Sequence, residues 1–441
     1  MKDFNVVILG CGTVGGGVAR IMLDMKEDLR SRSSRRITLK KILELSPKAA
    51  MSRFNIPSSL FYGEGSELSA EQANQYVQEI INDKETDLVV ETIGGSNDFI
   101  ENLAINVCQG GKHLVTANKA LLAERGSSIF EAAAINNVIV GFEAAVCGAI
   151  PVIKTIRESF TGDRIESISG ILNGTSNYIL TMMDSEEMEF REALQLAQKN
   201  GYAEADPTLD INGGDAAHKL VILIKLAFGV DITMDQLPRK GIESITKEDI
   251  EFAREIDGKI KLICFAQKTD GKIYATVCPM LVKNSNFLAE VNGATNAIRF
   301  VNKYSGRHIL VGAGAGSSET ASSIVGDIVF AARYAEQAVR EEPTETVTPE
   351  FADARHFKFP YIITFETADV PGVTGIATTS IGNQLINIDT VSHNRHMTDK
   401  AIFSIATMPC TLAQVEKAIE EIKTKKPGML HNEPKIIPIL F

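Results

Sequence analysis

Residues 4–17 constrain the fold more than any other stretch. Phe4–Leu9 (FNVVIL) is an apolar run of strand length, Gly10-Cys11-Gly12-Thr13-Val14-Gly15 follows without a break, and GGGVARIMLDMKEDL then reads as a helix. A strand that turns on glycines into a helix presents free backbone N–H groups and a positive dipole end to one point, which suits a pyrophosphate. Gly10 serves the tight turn, Gly12 the close approach of the phosphates, and Gly15 the contact between helix and strand. The motif by itself is weak; its place between a strand and a helix makes it specific. We expect Gly10, Cys11, Gly12, Thr13, Val14 and Gly15 to bind a nicotinamide dinucleotide, against the plainer reading of a glycine-rich structural turn.

The same rhythm continues through residues 1–150. Strands are expected at 37–45, 86–92 and 113–117, each followed by a helical pattern, which gives a Rossmann-type parallel sheet. Ligands in such sheets sit beyond the carboxyl ends of the strands, where Thr92, Asn118 and Lys119 fall. Gly316 and Glu319 lie in a second glycine-rich helix start, GAGAGSSETAS at 312–322, which predicts that residues 312–340 return to complete the dinucleotide domain and cover the cofactor.

Composition sets the outer bounds. The chain has 441 residues, a formal charge of −11 and no basic stripe, which argues against nucleic acid. The apolar run 220–230 is interrupted by Lys225 and is too short for the roughly 18–20 residues of a membrane span. No secretory leader is read at the N-terminus, and the six cysteines lack zinc or disulfide-framework spacing, so a cytoplasmic protein is expected.

A second α+β domain is expected over 151–311, for substrate and dimerisation. Its most informative segment is Ala197–Lys219 with Leu220, AQKNGYAEADPTLDINGGDAAHKL, where a Gly/Pro-rich loop carrying Glu204, Asp206 and Asp210 runs into an apolar helix. Asp215 falls in the first helical turn, where the dipole favours a carboxylate, and Lys219 follows on the same face. An N-capped helix with an i,i+4 ion pair is the plainer reading. The apolar neighbours Leu220–Leu223 argue for a buried ammonium that needs a partner or a chemical role.

Here a resemblance can be stated. Ala197, Gly201, Asp206-Pro207, Asp210, Gly213, Asp215 and Lys219 stand at the spacing of the homoserine dehydrogenase signature. ETIGG (91–95), TANKALLA (116–123), GILNGTSNYIL (170–180) and GAGAGSSETAS (312–322) also resemble that family, so that the likeness spans residues 5–337. It implies interconversion of L-homoserine and L-aspartate 4-semialdehyde with NAD or NADP, in the branch leading to threonine, methionine and isoleucine. In such a reaction an aldehyde needs a hydride at carbon and a proton at oxygen, and a lysine ammonium can supply the proton. Lys219 is the candidate, oriented by Asp215, with Lys119 the rival and a second cofactor contact. The resemblance assigns the amino-acid part of the substrate to Thr175, Gly201, Tyr202, Glu204, Asp210, Asp215 and Lys219. It also implies a monovalent cation such as sodium held by Glu143, Val146, Gly148 and Ile150.

NAD or NADP is selected after the second strand. Glu44 there, with Leu45 where the resemblance implies an arginine in several relatives, tilts the reading toward NAD, while Lys48 and Arg53 keep NADP open. Beyond a charged, Pro-containing linker at 341–355, residues 356–441 alternate as βαββαβ and resemble an ACT domain, whose DxPGV turn matches 369–373. That implies threonine as an effector and a homodimer or homotetramer. The alternatives are a non-catalytic amino-acid sensor or a dehydrogenase of another semialdehyde.

Overall fold

A computed structural model of the chain describes residues 2–336, 350–395 and 400–440. The dinucleotide domain is built from β1 (Asp3–Leu9), α1 (Thr13–Asp24), β2 (Arg36–Leu43), β3 (Leu88–Glu91), β4 (His113–Thr116), α2 (Lys119–Ile135) and β5 (Val140–Gly141). Its five strands are parallel in the order β2-β1-β3-β4-β5. Helices cover both faces, which is why β1 is apolar on both: Phe4, Val6 and Ile8 pack with Val18 and Met22 of α1, while Val7 and Leu9 join the opposite core with Leu103 and Val107. The strand order switches direction at β1, so the carboxyl ends of β1 and β3 flank one crevice.

All three later strands with expected bounds end sooner than the sequence pattern suggests, β4 by one residue at Thr116. β2 stops at Leu43, which leaves Glu44 just beyond it. β3 stops at Glu91 because that buried carboxylate bends the next turn, accepting hydrogen bonds from the N–H groups of Ile93 at 2.7 Å and Gly94 at 2.9 Å.

The central part contributes β6 (Ile165–Ile171), α3 (Gly174–Ser185), α4 (Gly214–Phe228), β7 (Gly258–Thr269), β8 (Lys272–Lys283), β9 (Thr295–Asn302) and β10 (Gly306–Ala313). These strands are antiparallel in the order β10-β9-β6-β7-β8. Leu220, Leu223 and Ile224 of α4 are wholly buried in the core that holds Ile168 and Leu262 of the sheet. The helix α5 (Ser317–Tyr334) then returns to the first domain and lies along α1. The contact is close at Gly17, where an added Cβ would lie 3.0 Å from the Ala321 side chain.

The C-terminal part adds β11 (Glu350–Ala352), β12 (Tyr361–Ala368), α6 (Val373–Asn383), β13 (Ile388–Arg395), β14 (Lys400–Thr407), α7 (Leu412–Lys425) and β15 (Lys435–Leu440). Its sheet order β15-β12-β14-β13 is that of a ferredoxin-like sandwich. One boundary differs from expectation. Of the anticipated linker, residues 341–349 lie outside the described residues, and 350–352 form a strand parallel to β8, with Phe351 opposite Ile273.

The two sheets are also joined. β15 runs parallel to β8, with Ile439 opposite Leu281 and Leu440 opposite Val282. A single sheet therefore crosses from the central domain into the C-terminal one, over a shared core of Phe265, Met280, Phe357, Phe359 and Tyr361. Among the described residues no helix is long and apolar enough to cross a membrane, and all six cysteines are free thiols.

Candidate active site

The site forms where α2 of the dinucleotide domain meets α4 of the central domain. Gly213 enters α4 in a left-handed conformation (φ 80°), which turns the polar loop 204–212 into the helix. Asp215 in its first turn is buried and is met from three directions, by two hydrogen bonds and a further ion pair. Lys219 Nζ lies 2.7 Å from Oδ2, Asn173 Nδ2 lies 2.8 Å from the same oxygen, and Lys119 Nζ lies 3.1 Å from Oδ1. One carboxylate thus links the first residue of α2 to a lysine one turn along α4.

Lys219 is held twice. Its ammonium donates to Asp215 and, at 2.6 Å, to the carbonyl of Leu172, the residue after β6. Burial is the largest single influence and would lower its pKa, but the charge and hydrogen bond of Asp215, together with the nearby Cys147 and Cys264, reverse this and raise it. Burial would likewise raise the pKa of Asp215; the charges of Lys219 and Lys119 reverse this and hold the group well below the usual carboxylate range. Asp210 is different. Burial pushes it up, against the hydrogen bond from Asn173 Nδ2 at 2.7 Å.

Of the other expected substrate residues, Thr175 lies near the start of α3 and donates its hydroxyl to the Tyr202 carbonyl at 2.6 Å, fastening the loop to that helix. Tyr202 stacks against Tyr178 with ring centroids 4.5 Å apart, and Gly201 makes the left-handed turn before it (φ 77°). Glu204 is exposed on this loop and makes no ion pair among the described residues. Asp206 instead closes a local turn onto Thr208.

Asn173, which the sequence offers only as one member of the motif at 170–180, has a role of its own in the site. It caps α3, accepting from the Ser176 N–H at 2.8 Å, and its amide also joins Asp210 to Asp215. Glu91 escapes sequence reasoning altogether, and Asn118 stands there only as a strand end without a function. Glu91 accepts from the Thr116 hydroxyl at 2.6 Å, and Asn118 caps α2 while donating to the Gly95 carbonyl at 2.6 Å, so the pair fixes where Lys119 starts its helix. An acid and an asparagine at strand ends were the available signals.

The glycine turn has the shape of a phosphate cradle. Gly10 is left-handed (φ 85°), and a Cβ on Gly15 would lie 2.1 Å from the Gly10 carbonyl oxygen, so these two build the turn. A Cβ on Gly12 would meet no protein atom within 4 Å. The open side of the turn is therefore at Gly12, beside Thr13 and Val14 at the start of α1. The Cys11 N–H faces inward and donates to Glu44 Oε2 at 2.6 Å. Thr92 also serves the turn, its hydroxyl bonding the Leu9 and Gly10 carbonyls. Ser317, next to Gly316, donates to the Thr13 carbonyl at 2.6 Å, which brings the second glycine turn and Glu319 to the first.

Comparison with known proteins matches both halves of this site. Residues 10–143 fit the family model described as homoserine dehydrogenase, NAD binding domain, and residues 151–329 fit that of homoserine dehydrogenase. The homoserine dehydrogenase of Neisseria gonorrhoeae is 38% identical over 396 residues, covering 88% of each chain. The chain belongs to the homoserine dehydrogenase family. A crystal structure of a homoserine dehydrogenase from Thiobacillus denitrificans superposes with a TM-score of 0.90 at 33% identity, covering 100% of this chain and 99% of that one. A hyperthermophilic archaeal homoserine dehydrogenase solved in complex with NADPH matches with a TM-score of 0.61 at 27% identity, over 75% of this chain and 98% of that one. The protein is accordingly an NAD(P)-dependent homoserine dehydrogenase, an oxidoreductase that interconverts L-homoserine and L-aspartate 4-semialdehyde.

The openness at Gly12 makes a sharp prediction for this homoserine dehydrogenase. Gly12→Val should leave the fold intact, since no protein atom is displaced, and weaken dinucleotide binding by about a hundredfold or more through blocked phosphate approach. The chain has no tryptophan, so NADPH fluorescence titration reads this without background from that residue. Unchanged affinity would remove the turn from the cofactor site.

Proposed function

We propose that Lys219 is the proton donor and acceptor of the reaction and that Asp215 orients it. The observation that carries this is the Asp215 carboxylate held between Lys219 and Lys119. When bound, the nicotinamide supplies or takes the hydride at the substrate carbon. In reduction Lys219 gives a proton to the aldehyde oxygen, so that CHO becomes CH2OH; in oxidation its neutral amine takes that proton back. Glu204 and Asp210 receive the substrate ammonium, with Thr175, Gly201 and Tyr202 shaping the loop that carries them. Lys119, on the cofactor side, meets the substrate oxygen or the nicotinamide edge.

The raised pKa of Lys219 gives the pH dependence a sign. The ammonium is the charged form needed for reduction throughout the neutral range, whereas oxidation needs the amine. Homoserine oxidation should rise steadily from neutral to alkaline pH, and semialdehyde reduction should stay level and then decline there. Single-turnover kinetics across pH would check this; an oxidation rate flat up to alkaline pH, with hydride transfer limiting, would count against a lysine base.

Cofactor choice falls to Glu44 and Arg53. The Glu44 carboxylate sits just past β2 against the Cys11 N–H, where ribose hydroxyls are met, and supports NAD. Arg53 approaches Thr13 Oγ1 at 3.3 Å and offers a cation to a 2′-phosphate, which supports use of NADP as well.

A monovalent cation is read at Glu143, Val146, Gly148 and Ile150. The donors would be mainly backbone carbonyls, a set suited to a hard ion, in a segment turned by the consecutive left-handed residues Cys147 and Gly148 (φ 58° and 53°); the Gly148 carbonyl also accepts from Ser323 Oγ at 2.7 Å and that of Ile150 from the Val152 N–H at 2.8 Å. The Glu143 side chain is occupied elsewhere. Both its oxygens accept N–H groups, of Ile153 at 2.8 Å and Lys154 at 2.9 Å, pinning the connection between the domains. Its pKa is pushed up to about 7, chiefly by burial. We read the cation as structural. The domain limits 1–150 with 312–340, 151–311 and 356–441 are proposed on the same basis, as are an ACT-type regulatory role for the C-terminal sandwich with threonine as its effector, a homodimer or homotetramer, and a cytoplasmic enzyme of threonine, methionine and isoleucine synthesis.

A further inference from the structure

Between the central domain and the C-terminal sandwich lies a cavity of about 300 Å³, within the range of small-molecule sites. Pro238, Pro279, Phe359 and Ile437 make its apolar walls. It is built from β8, β12, β15 and α7 of one chain and shares no residue with the 369–373 turn.

Its polar lining consists of three cations, Arg239, Lys240 and Arg355, one carboxylate, Glu416, and Tyr361, Thr276 and Cys278. Tyr361 lines the cavity at 3% exposure, and its hydroxyl makes no hydrogen bond among the described residues. The ammonium of Lys240 likewise has no ion-pair partner among them. Arg355 and Glu416 face each other across 3.8 Å at the same cavity. An apolar chamber whose cations outnumber its one carboxylate, with a spare cation in Lys240, a spare hydroxyl in Tyr361 and a Glu416 only loosely paired to Arg355, matches a zwitterion with a hydrocarbon side chain.

The wall is wired to the active site. Lys240 donates its N–H to Val277 at 2.8 Å, and Val277 donates to Pro238 at 3.0 Å, which fixes the wall to β8. Two residues on, the Ile242 N–H donates to the Ile211 carbonyl at 2.8 Å. A Cβ on Gly241 would lie 2.2 Å from that oxygen, so there is no slack between the two strands of chain. Ile211 stands between Asp210 and Asp215.

We infer that this cavity binds an apolar α-amino acid, with its carboxylate on Lys240 and Tyr361 and its ammonium on Glu416, and that occupancy shifts the 210–215 loop and so the affinity for homoserine. The second half rests on the assignment of Asp210 and Asp215 to the substrate site; the first half does not. The test is calorimetric titration of the full chain with L-leucine and with 4-methylpentanoate, the same skeleton without the ammonium, beside the homoserine KM with and without leucine.

The expected result is leucine binding at least about tenfold tighter than 4-methylpentanoate, a loss of about tenfold in Lys240→Ala, and a severalfold change in KM at saturating leucine. Lys240 is exposed, so unchanged basal turnover in that variant confirms its fold; Glu416→Gln should erase the preference for leucine. No leucine binding at millimolar concentration, or binding unaffected by Lys240→Ala, overturns the site. Equal affinity for the two ligands overturns the amino-acid class. Binding with no change in KM overturns the coupling alone, and none of these depends on the outcome at Lys219.

Discussion

Replacing Lys219 by alanine is expected to lower kcat by about 10²–10⁴ in both directions while the Kd for the dinucleotide stays within about twofold. The loss should fall on kcat because the proton moves as the hydride does, and the ammonium interacts more strongly with a developing alkoxide than with an aldehyde. The fold should survive, since Asp215 keeps Lys119 and Asn173 as partners when Lys219 is gone. Lys219→Met, which restores bulk without charge, separates packing from chemistry. Lys119→Ala is the companion experiment: a larger drop in kcat there than in Lys219→Ala would transfer the proton to the lysine of α2. Stopped-flow measurement of the hydride step in both variants decides between them.

The second large effect is expected from Asp215→Asn, which keeps the shape and removes the charge. Lys219 is then a buried cation without its carboxylate, while Lys119, its side chain 39% exposed, can turn to solvent; leaving a buried charge uncompensated costs about 3–5 kcal/mol. The sign with pH follows from the shifts. The pair's contribution through Lys219 is complete below the free lysine value of about 10.4 and is lost as pH rises through its raised folded value. Its contribution through Asp215 is complete above about pH 3.9 and is lost on acidification through the depressed folded value. Without Asp215, burial dominates Lys219 and its pKa falls. Urea unfolding at neutral pH should show the destabilisation, and the alkaline rise in homoserine oxidation should move to lower pH as its maximum drops. A variant with unaltered stability and an unmoved pH profile would show that Asp215 does not govern Lys219.

Much of this arrangement was legible because it is local. The glycine turn, α1 and the fifteen-residue α4 each follow from one contiguous stretch, and Asp215 with Lys219 is a helical i,i+4 pair that spacing alone sets on one face. What sequence left undecided is what arrives from elsewhere. Lys119 reaches Asp215 only once two domains have packed, and Asn173 comes from the end of β6. Glu91 and Asn118 act on backbone groups of a turn, and such duties leave little trace in residue type. The union of two sheets through β15 and β8 was also invisible. Which edges meet depends on the assembled surface and not on the pattern of either strand.

That union bears on how the enzyme comes to be made. β8 emerges from the ribosome long before β15, and until then its outer edge and the apolar face around Met280 and Phe265 have no cover from the sandwich. Parallel pairing between strands so distant in sequence is slow to form, and an unpaired edge invites contact with other chains. The strand that ends this exposure belongs to the sandwich, so the two modules become fold-competent together.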